Sequence, residues 1–448
     1  MNMIEIIKKI KNDDLKRSML LSFVCRPIGM LISLAYTPLL LRYLGNEKFG
    51  LWATILSVIN WINFFDIGIG NGLRNLLSIE ILENKKSKIQ ESVSTAYRVI
   101  STISICLVCM GCFMIVFFDT SKVFNTTVNI KPVVLISFIF ICISFVLSLG
   151  KTILFAIQKS EVTSFIGIVT QFINLLGIII LLSVSKGSLI TVSILVGCST
   201  LVVNLILHGV LWKKKPYFIP KFSYYRKDKL KQICSVGIKF FIIQIAALVL
   251  YTTDNLIISH YFGAKDVTPY NTTRTAFSVV YSFFSALMVP LWSQYTVAVS
   301  QNRYDWIRRS IIKLDCLLLP IGITLGIASI YWKKVSYIWL GRELHYPSGL
   351  IICMAIYFLL NCWNQIYATV SNGMGFVNMQ LALGVGTAII NIPLCVYLGR
   401  DLGMGSTGVL LATVICMFIA IIPLTVSVHV FLNRKITESS VDKFTTEQ

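Results

Sequence analysis

The chain has 448 residues, of which 56% are hydrophobic and only 13% are charged. Soluble globular proteins carry about 25% charged residues, so this composition excludes a soluble fold, a disordered chain and a disulfide-stapled secreted domain. The apolar residues would fill about twelve helices of the roughly 20 residues that cross a bilayer. We therefore predict an all-α polytopic membrane protein with about twelve transmembrane helices.

The N-terminal segment, residues 1–17, is charged throughout and lacks an apolar core followed by a small-residue cleavage site. It therefore does not match a secretory signal peptide. Isoleucines interspersed with lysines instead predict a short amphipathic helix on the cytoplasmic membrane surface.

Apolar runs along the rest of the chain predict two sets of six spans, separated by one long basic linker. The linker, residues 212–233, holds eight Lys or Arg against one Asp. It divides an N-lobe, 18–211, from a C-lobe, 234–431, and a cytoplasmic tail, 432–448, follows. The predicted spans are 18–41, 49–70, 97–118, 133–156, 162–184, 188–211, 234–259, 269–296, 311–332, 348–370, 379–398 and 406–431.

The distribution of Lys and Arg predicts the orientation of these spans. With the N-terminus inside, the inner segments hold 25 of the 40 Lys and Arg, and the outer loops hold 10. Because cytoplasmic loops are enriched in these residues, we expect both termini and the linker to lie in the cytoplasm. The net charge of +20 then reflects topology and predicts no nucleic-acid partner.

A short internal repeat supports the division into two halves. Residues 42–48, RYLGNEK after span 1, align with residues 260–266, HYFGAKD after span 7, at an offset of 218. Two six-span halves in the same orientation are the parallel-repeat plan of many transporters, whose substrate site lies between the halves. We therefore predict two six-helix lobes related by a parallel repeat.

Polar residues recur on single faces of spans 1, 2, 7 and 8 at the three- and four-residue steps of a helix. Such residues face a wet cavity or the bundle interior by default, although small and hydroxyl residues also join helices. Arg26 is the stronger signal, because it lies about 12 Å into span 1. The candidate substrate-binding residues are Arg26, Ser33, Tyr36, Asn60, Asn63, Gln244, Tyr251, Arg274 and Tyr281.

The stretch Asp66–Arg74, DIGIGNGLR, ends span 2 at the predicted cytoplasmic face. Its glycines do not match the dinucleotide fingerprint and no Walker lysine follows, so we expect no nucleotide cofactor. They permit a tight, adaptable helix end. Two interpretations stay open, a gating hinge or a plain helix cap, and Asp66 and Arg74 could pair across this helix end or meet the facing half. The twelve cysteines lie almost entirely in apolar runs with no paired His, which predicts no metal site.

The residues Arg42–Trp52, Trp61 and Asp66–Arg74 together resemble the first two spans of bacterial O-antigen flippases (Wzx type). These proteins belong to the multidrug/oligosaccharidyl-lipid/polysaccharide exporter superfamily. The resemblance implies a flippase that moves an undecaprenyl-diphosphate-linked oligosaccharide across the inner membrane by alternating access. It also implies a cationic cavity between two lobes. The polysaccharide polymerase and the chain-length machinery are its candidate partners, besides membrane lipids.

Related lipid II flippases carry arginines in spans 1, 2 and 8 of that cavity. Arg26 and Arg274 match spans 1 and 8, whereas span 2 of this chain offers Asn60 and Asn63 instead. Arginine suits a diphosphate because its planar fork binds two oxygens, and the Tyr and Asn side chains suit sugar hydroxyls.

Asp254 is the candidate coupling residue, alongside Asp66 and Arg74 at the gate. A carboxylate near the outer end of span 7 would repel a diphosphate, so direct substrate binding is not expected. We predict instead that Asp254 pairs with Arg274 on the next helix. A diphosphate that competes for Arg274 would release Asp254 to take a proton.

Two alternatives belong to other functional classes. A multidrug or cation exporter of the same superfamily would need acidic cavity residues, yet the spans hold Asp66, Asp254 and Asp315 against five basic residues. A membrane polysaccharide polymerase would need a long external loop, and the longest outer loop covers only about residues 333–347. We therefore predict a transporter and not an enzyme.

Overall fold

The computed structural model is almost entirely helical in the residues that it describes. These are 3–66, 68–83, 85–117, 124, 126, 128–157, 159–233, 241, 245, 248, 252–374 and 377–446. The description of side chains begins at Cys25 and omits some later positions, Arg26 among them. No strand occurs within this part of the chain, and the predicted all-α class is confirmed.

Seven helices precede the linker in the described residues. They are α1 Met3–Ile59, α2 Ile69–Leu82, α3 Lys86–Phe117, α4 Lys131–Leu147, α5 Leu149–Ala156, α6 Ser160–Val184 and α7 Leu189–Lys214. A 3-10 helix, Asn60–Asp66, follows α1. Helix α7 begins with a side-chain cap, since the Thr191 backbone N–H donates to the Ser188 hydroxyl, which satisfies one of the free donors of the first turn.

Six further helices are described after the linker. They are α8 Asp254–Phe262, α9 Ala264–Ser300, α10 Tyr304–Leu340, α11 Leu350–Met374, α12 Val377–Val396 and α13 Gly405–Thr446. A single π-helical turn, Tyr397–Asp401, connects α12 to α13. Helix α10 ends at Gly341, whose φ of 67° is the left-handed conformation that favours glycine after a helix.

Nine helices of the described chain are long and apolar enough to cross a membrane. This number is lower than the twelve predicted spans for identifiable reasons. The first two spans are merged, because α1 continues through a kink at Gly45. Most of predicted span 7 lies outside the described residues, and α9, which contains predicted span 8 and has several positions outside the described side chains, is not among the nine.

Two glycines give the internal repeat a common backbone conformation. Gly45 has a φ of 77° and Gly263 a φ of 92°, and both lie in the left-handed region. The two turns also meet, since the Thr268 hydroxyl donates to the Asn46 carbonyl at 2.6 Å. A Cβ on Gly50 would lie 1.8 Å from a backbone oxygen of the second turn. The predicted repeat therefore corresponds to two turns that each place a glycine at positive φ.

The chain divides into two compact units. Unit 1 comprises Met1–Ile245 and Ser259–Thr268, and unit 2 comprises Ala246–Ile258 and Pro269–Gln448. Unit 1 therefore contains the basic linker and the second glycine turn in addition to α1–α7.

The basic linker, residues 212–233, is folded onto α2 and α3 within unit 1. The backbone N–H of Arg226 donates to the Thr95 hydroxyl at 3.1 Å. The ammonium of Lys229 forms an ion pair with the Glu80 carboxylate, and both side chains are largely shielded from solvent. Because these bonds fix both backbone and side chains, the linker is an ordered part of unit 1.

Unit 2 has an apolar core built from four helices, α9, α10, α11 and α13. Its fully buried members include Met288, Ile307, Ile311, Ile366 and Val428. Large apolar side chains also cover the outer surface of α10, where Leu319, Ile323 and Ile330 are exposed. An apolar exterior of this extent is expected for helices that face lipid.

Candidate functional site

Some of the residues on the polar face of span 1 pack against a neighbouring helix. Gly29 is buried against α6, where a Cβ would lie 3.0 Å from the Gln171 side-chain oxygen. Ser33 is half-buried, and the Tyr36 hydroxyl is buried with no hydrogen-bond partner among the described residues. The side chain of Arg26 lies outside the described residues, so its placement in a cavity stays a prediction.

The two asparagines of span 2 lie on the 3-10 helix that follows α1. Asn60 and Asn63 are both exposed, and the Asn63 amide donates to the Asn60 side-chain oxygen at 3.4 Å. Their amide groups therefore remain accessible to a polar ligand of unit 1.

Asp66 caps the N-terminus of α2. Its carboxylate accepts the backbone N–H of Gly68 at 2.9 Å and that of Gly70 at 3.1 Å. Gly68 has a φ of 73°, and a Cβ on Gly70 would lie 2.9 Å from the same carboxylate. The glycines thus build a helix cap, as in the second of the two interpretations.

Arg74 does not pair with Asp66 in this arrangement. Its guanidinium is exposed and lies 5.2 Å from the centre of the Phe155 ring, a cation–π geometry. Gly72 of the same motif lies against the end of the linker, where a Cβ would be 2.1 Å from the Ile233 carbonyl. The motif therefore joins α2 to the linker, and a gating role for Asp66 and Arg74 stays a prediction.

Asp254 is the centre of a buried polar network in unit 2. It is only 1% exposed, although it begins helix α8. The Tyr270 hydroxyl donates to its Oδ2 at 2.6 Å, and the Thr413 hydroxyl donates to its Oδ1 at 3.3 Å. Both carboxylate oxygens are therefore held by neutral donors from α9 and α13.

The network continues from Thr413 into α12. The Asn391 amide donates to the Thr413 hydroxyl at 3.2 Å. The Cys395 thiol lies 3.7 Å from the Asn391 side-chain oxygen and 3.5 Å from the Val409 carbonyl. Four helices of unit 2, α8, α9, α12 and α13, are thereby connected through one carboxylate.

Arg274 interacts electrostatically with the same cluster, and its predicted pairing with Asp254 stays a prediction. Its guanidinium lies 5.9 Å from the centre of the Tyr357 ring. It also interacts electrostatically with Asp254 and with Tyr270, and the Tyr270 hydroxyl is bonded to the carboxylate. The structure thus places a tyrosine beside both charged groups.

Sequence reasoning did not identify Tyr270, Tyr357 or Thr413 as members of this cluster. Only Tyr270 carried a usable signal, because it precedes Arg274 by four residues and therefore shares its helix face. Of the other candidates, Tyr281 donates to the Gln365 side-chain oxygen at 3.2 Å. Gln244 and Tyr251 lie outside the described residues.

No group of three His, Cys, Asp or Glu side chains that could hold a metal ion occurs within the described part of the chain. The described cysteines are free thiols, and four of them, Cys142, Cys362, Cys395 and Cys416, are buried. They pack as small apolar side chains between helices.

Comparison with known proteins decides the family. A family model described as "Polysaccharide biosynthesis protein" matches residues 15–296, more than half of the chain. The chain belongs to the polysaccharide biosynthesis protein family. The resemblance predicted from Arg42–Trp52 and Asp66–Arg74 is thereby confirmed.

Two relatives of this protein have names that describe transport. It is 24% identical over 360 residues to a Yersinia pseudotuberculosis protein named "Putative O-antigen export protein", over 77% of this chain and 79% of the relative. It is 23% identical over 407 residues to a "Putative O-antigen transporter" of Salmonella typhimurium, over 88% and 92% of the two chains.

Solved structures show the fold of this polysaccharide biosynthesis family protein. An inward-facing multidrug resistance MATE family transporter of the MOP superfamily superposes with a TM-score of 0.73 at 12% identity, over 93% of this chain and 99% of that chain. A MOP superfamily transporter from Pyrococcus furiosus gives 0.65 at 12% identity, over 94% and 96%. The chain is therefore a multi-pass membrane protein with a MATE-like transporter fold.

Proposed function

We propose that this protein is a flippase that moves an undecaprenyl-diphosphate-linked oligosaccharide, an O-antigen repeat unit or a similar surface polysaccharide unit, across the bacterial inner membrane. The match of residues 15–296 to the polysaccharide biosynthesis protein family carries the proposal. The names of the two O-antigen relatives support it. It is a transporter that works by alternating access, and not an enzyme.

Arginine supplies the anion site in this proposal. The diphosphate of the lipid carries about two negative charges, and the fork of a guanidinium binds two phosphate oxygens at once. We assign this role to Arg26 and Arg274. Tyr36, Asn60, Asn63 and Tyr281 offer hydroxyl and amide groups to the sugars, together with Ser33, Gln244 and Tyr251.

Asp254 couples substrate binding to movement. Its carboxylate accepts hydrogen bonds from Tyr270 and Thr413, and Arg274 interacts with it electrostatically. A diphosphate on Arg274 withdraws that positive charge, and the buried carboxylate then takes a proton, because an uncompensated buried charge is costly. The partners of Asp254 on α9 and α13 would be loosened by this change.

The nearest alternative is a drug exporter of the same superfamily, and the solved structures with this fold include multidrug transporters. That function would place acidic groups at the substrate. Purified protein in liposomes separates the two functions. We expect it to move a fluorescent undecaprenyl-diphosphate oligosaccharide between leaflets, measured by quenching with a membrane-impermeant reductant, and to leave a cationic dye gradient unchanged. Dye export without lipid movement would contradict the proposal.

The predicted orientation has its own test, since both termini and the linker should lie in the cytoplasm. A reporter that is active only in the periplasm should be silent when fused after Lys227 and active when fused after Asp266. The opposite pattern would reverse the topology and, with it, the direction of transport.

A further inference from the structure

A second carboxylate of unit 2, that of the half-buried Asp315, takes part in a network distinct from that of Asp254. Asp315 lies on α10, Tyr367 on α11 and His429 on α13. The Tyr367 hydroxyl donates to Asp315 Oδ2 at 2.9 Å and lies 3.0 Å from the Nε2 atom of His429. Tyr367 is 1% exposed, so it bridges the acid and the imidazole inside the helix packing.

The direction of these hydrogen bonds fixes the protonation of the imidazole. A tyrosine hydroxyl has one proton to donate, and here it is given to the carboxylate. The Nε2 atom of His429 must therefore carry the proton that the tyrosine oxygen accepts. The Asp315 carboxylate that accepts from Tyr367 then carries one negative charge.

The other carboxylate oxygen, Oδ1 of Asp315, accepts no hydrogen bond from the described residues. It is buried and has no hydrogen-bond partner among the described residues. No Lys or Arg of the described chain forms an ion pair with Asp315. An acceptor in this situation is costly as an anion, and a proton on Oδ1 would remove the charge.

The titratable groups that face Asp315 from the packed helices are few. Tyr295 of α9 interacts with it electrostatically, as do Tyr367 of α11 and His429 of α13. On its own helix, Lys313 is exposed. The three groups that interact with Asp315 from the packed helices include no Lys or Arg.

We propose that Asp315 is a proton-binding site of this transporter, with Tyr367 and His429 as its positioning residues. The proton arrives from water and forms the O–H bond on the buried Oδ1 atom, which converts the carboxylate to a neutral carboxyl group. The site connects α10, α11 and α13, so the charge of one group acts on the packing of three helices. It is independent of the substrate assigned above.

Infrared spectroscopy of the full-length protein in liposomes, without substrate, tests this site. A protonated carboxyl group in apolar surroundings gives a carbonyl stretch separate from that of exposed carboxyl groups. We expect this component to rise and fall as the pH is varied, and to lose the contribution of one group in Asp315→Asn. Asp305→Asn, an exposed acid in the first turn of the same helix, should leave the component unchanged.

Two positioning variants keep the test decisive if Asp315→Asn fails to fold. Tyr367→Phe removes the O–H donor to Oδ2 and should displace the frequency of the component. His429→Gln retains an N–H donor but cannot be protonated, and should preserve the component while moving its pH midpoint. A spectrum that responds to neither Asp315→Asn nor Tyr367→Phe would overturn the proposal, as would titration of the imidazole alone in nitrogen NMR.

Discussion

The two units build a tyrosine–histidine contact at comparable places in their helices, but with different chemistry. In unit 1 the contact is direct, since the Tyr97 hydroxyl lies 2.7 Å from the Nε2 atom of His208. In unit 2 the residue 218 positions after Tyr97 is Asp315, and Tyr367 bridges it to His429. This spacing equals that of the two glycine turns, so unit 2 carries a carboxylate where unit 1 carries a phenol.

In unit 1, a glycine packs tightly against the histidine of the Tyr97–His208 pair. The backbone of Gly150 lies so near His208 that a Cβ would be 2.6 Å from the imidazole Cε1. The second ring nitrogen, Nδ1, lies 2.7 Å from the Asn204 carbonyl and must be the donor in that bond. With both ring nitrogens satisfied and no carboxylate in the pair, the neutral imidazole has no reason to take up a proton. A similar helix arrangement therefore holds a neutral Tyr97–His208 pair in unit 1 and a titratable carboxylate, Asp315, in unit 2.

The largest expected effect separates substrate binding from proton binding. Arg26→Ala should abolish surface glycan while the protein still accumulates in the membrane, because the lost group binds the diphosphate. Arg26→Lys should retain part of the transport, since an ammonium attracts phosphate without forming the fork. Surface polysaccharide measured on gels decides the outcome, with Arg400→Ala, an exposed arginine beside Asp401, as the matched control.

The infrared component of Asp315 should be unaltered in Arg26→Ala. Normal export in Arg26→Ala, or loss of the folded protein, would remove the residue from the substrate site.

A double-mutant cycle sharpens the role of unit 2. Asp254→Asn and Arg274→Gln should each reduce export at least about tenfold, and the double variant should be less harmful than the two losses combined, because each single change leaves its partner uncompensated. Coupling of about 0.5–3 kcal/mol is typical of residues in one network. Export rates of the four proteins measure it, and strictly additive losses would show that the pair has no part in transport.

Substitution of Gly150 should disrupt the Tyr97–His208 pair of unit 1. Gly150→Ala should destabilise the folded protein by about 1–3 kcal/mol, the usual cost of overpacking, because the new methyl group collides with His208. Thermal unfolding in detergent measures the effect. Gly209→Ala on α7 is the matched control, since nothing lies within 4 Å of its Cβ position; equal losses in both variants would contradict the tight approach.

The smallest expected effect concerns the phenol itself. Tyr97→Phe should cost about 1–2 kcal/mol, because the buried Nε2 atom of His208 loses its hydrogen-bond donor. The pH dependence of transport should be unchanged, in contrast to Asp315→Asn. Stability and transport measured over the same pH range test both statements, and a pH profile altered by Tyr97→Phe would erase the distinction between the units.

The helical class and the repeat were predictable because they depend on local patterns. Apolar runs of membrane length predict helices, and the glycine in each copy of the repeat, Gly45 and Gly263, predicts a turn. The boundary between spans 1 and 2 was less accessible, since α1 continues through Gly45 as one kinked helix. The predicted number of spans is therefore larger than the number of apolar helices in the described residues.

The sequence predicted polar faces along single helices and one pairing between neighbouring helices, that of Asp254 with Arg274. Helical spacing placed Arg274 on a polar face, and it now lies in the cluster of Asp254. The partners Tyr270 and Thr413 come from different helices, and sequence spacing carries no information on which helices pack together. The same limitation applies to Asp66, whose two backbone donors are set by the φ of Gly68 and not by its distance from Arg74.

Unit 1 acquires its last contacts late in protein synthesis. The second glycine turn, with Ala264 against Gly50 and Thr268 bonded to Asn46, is encoded after the basic linker. Nascent domains generally fold as units while the ribosome elongates the chain, yet a nascent chain that ends in the linker lacks these contacts. The N-terminal unit therefore completes its packing only after residues 264–268 have been synthesised.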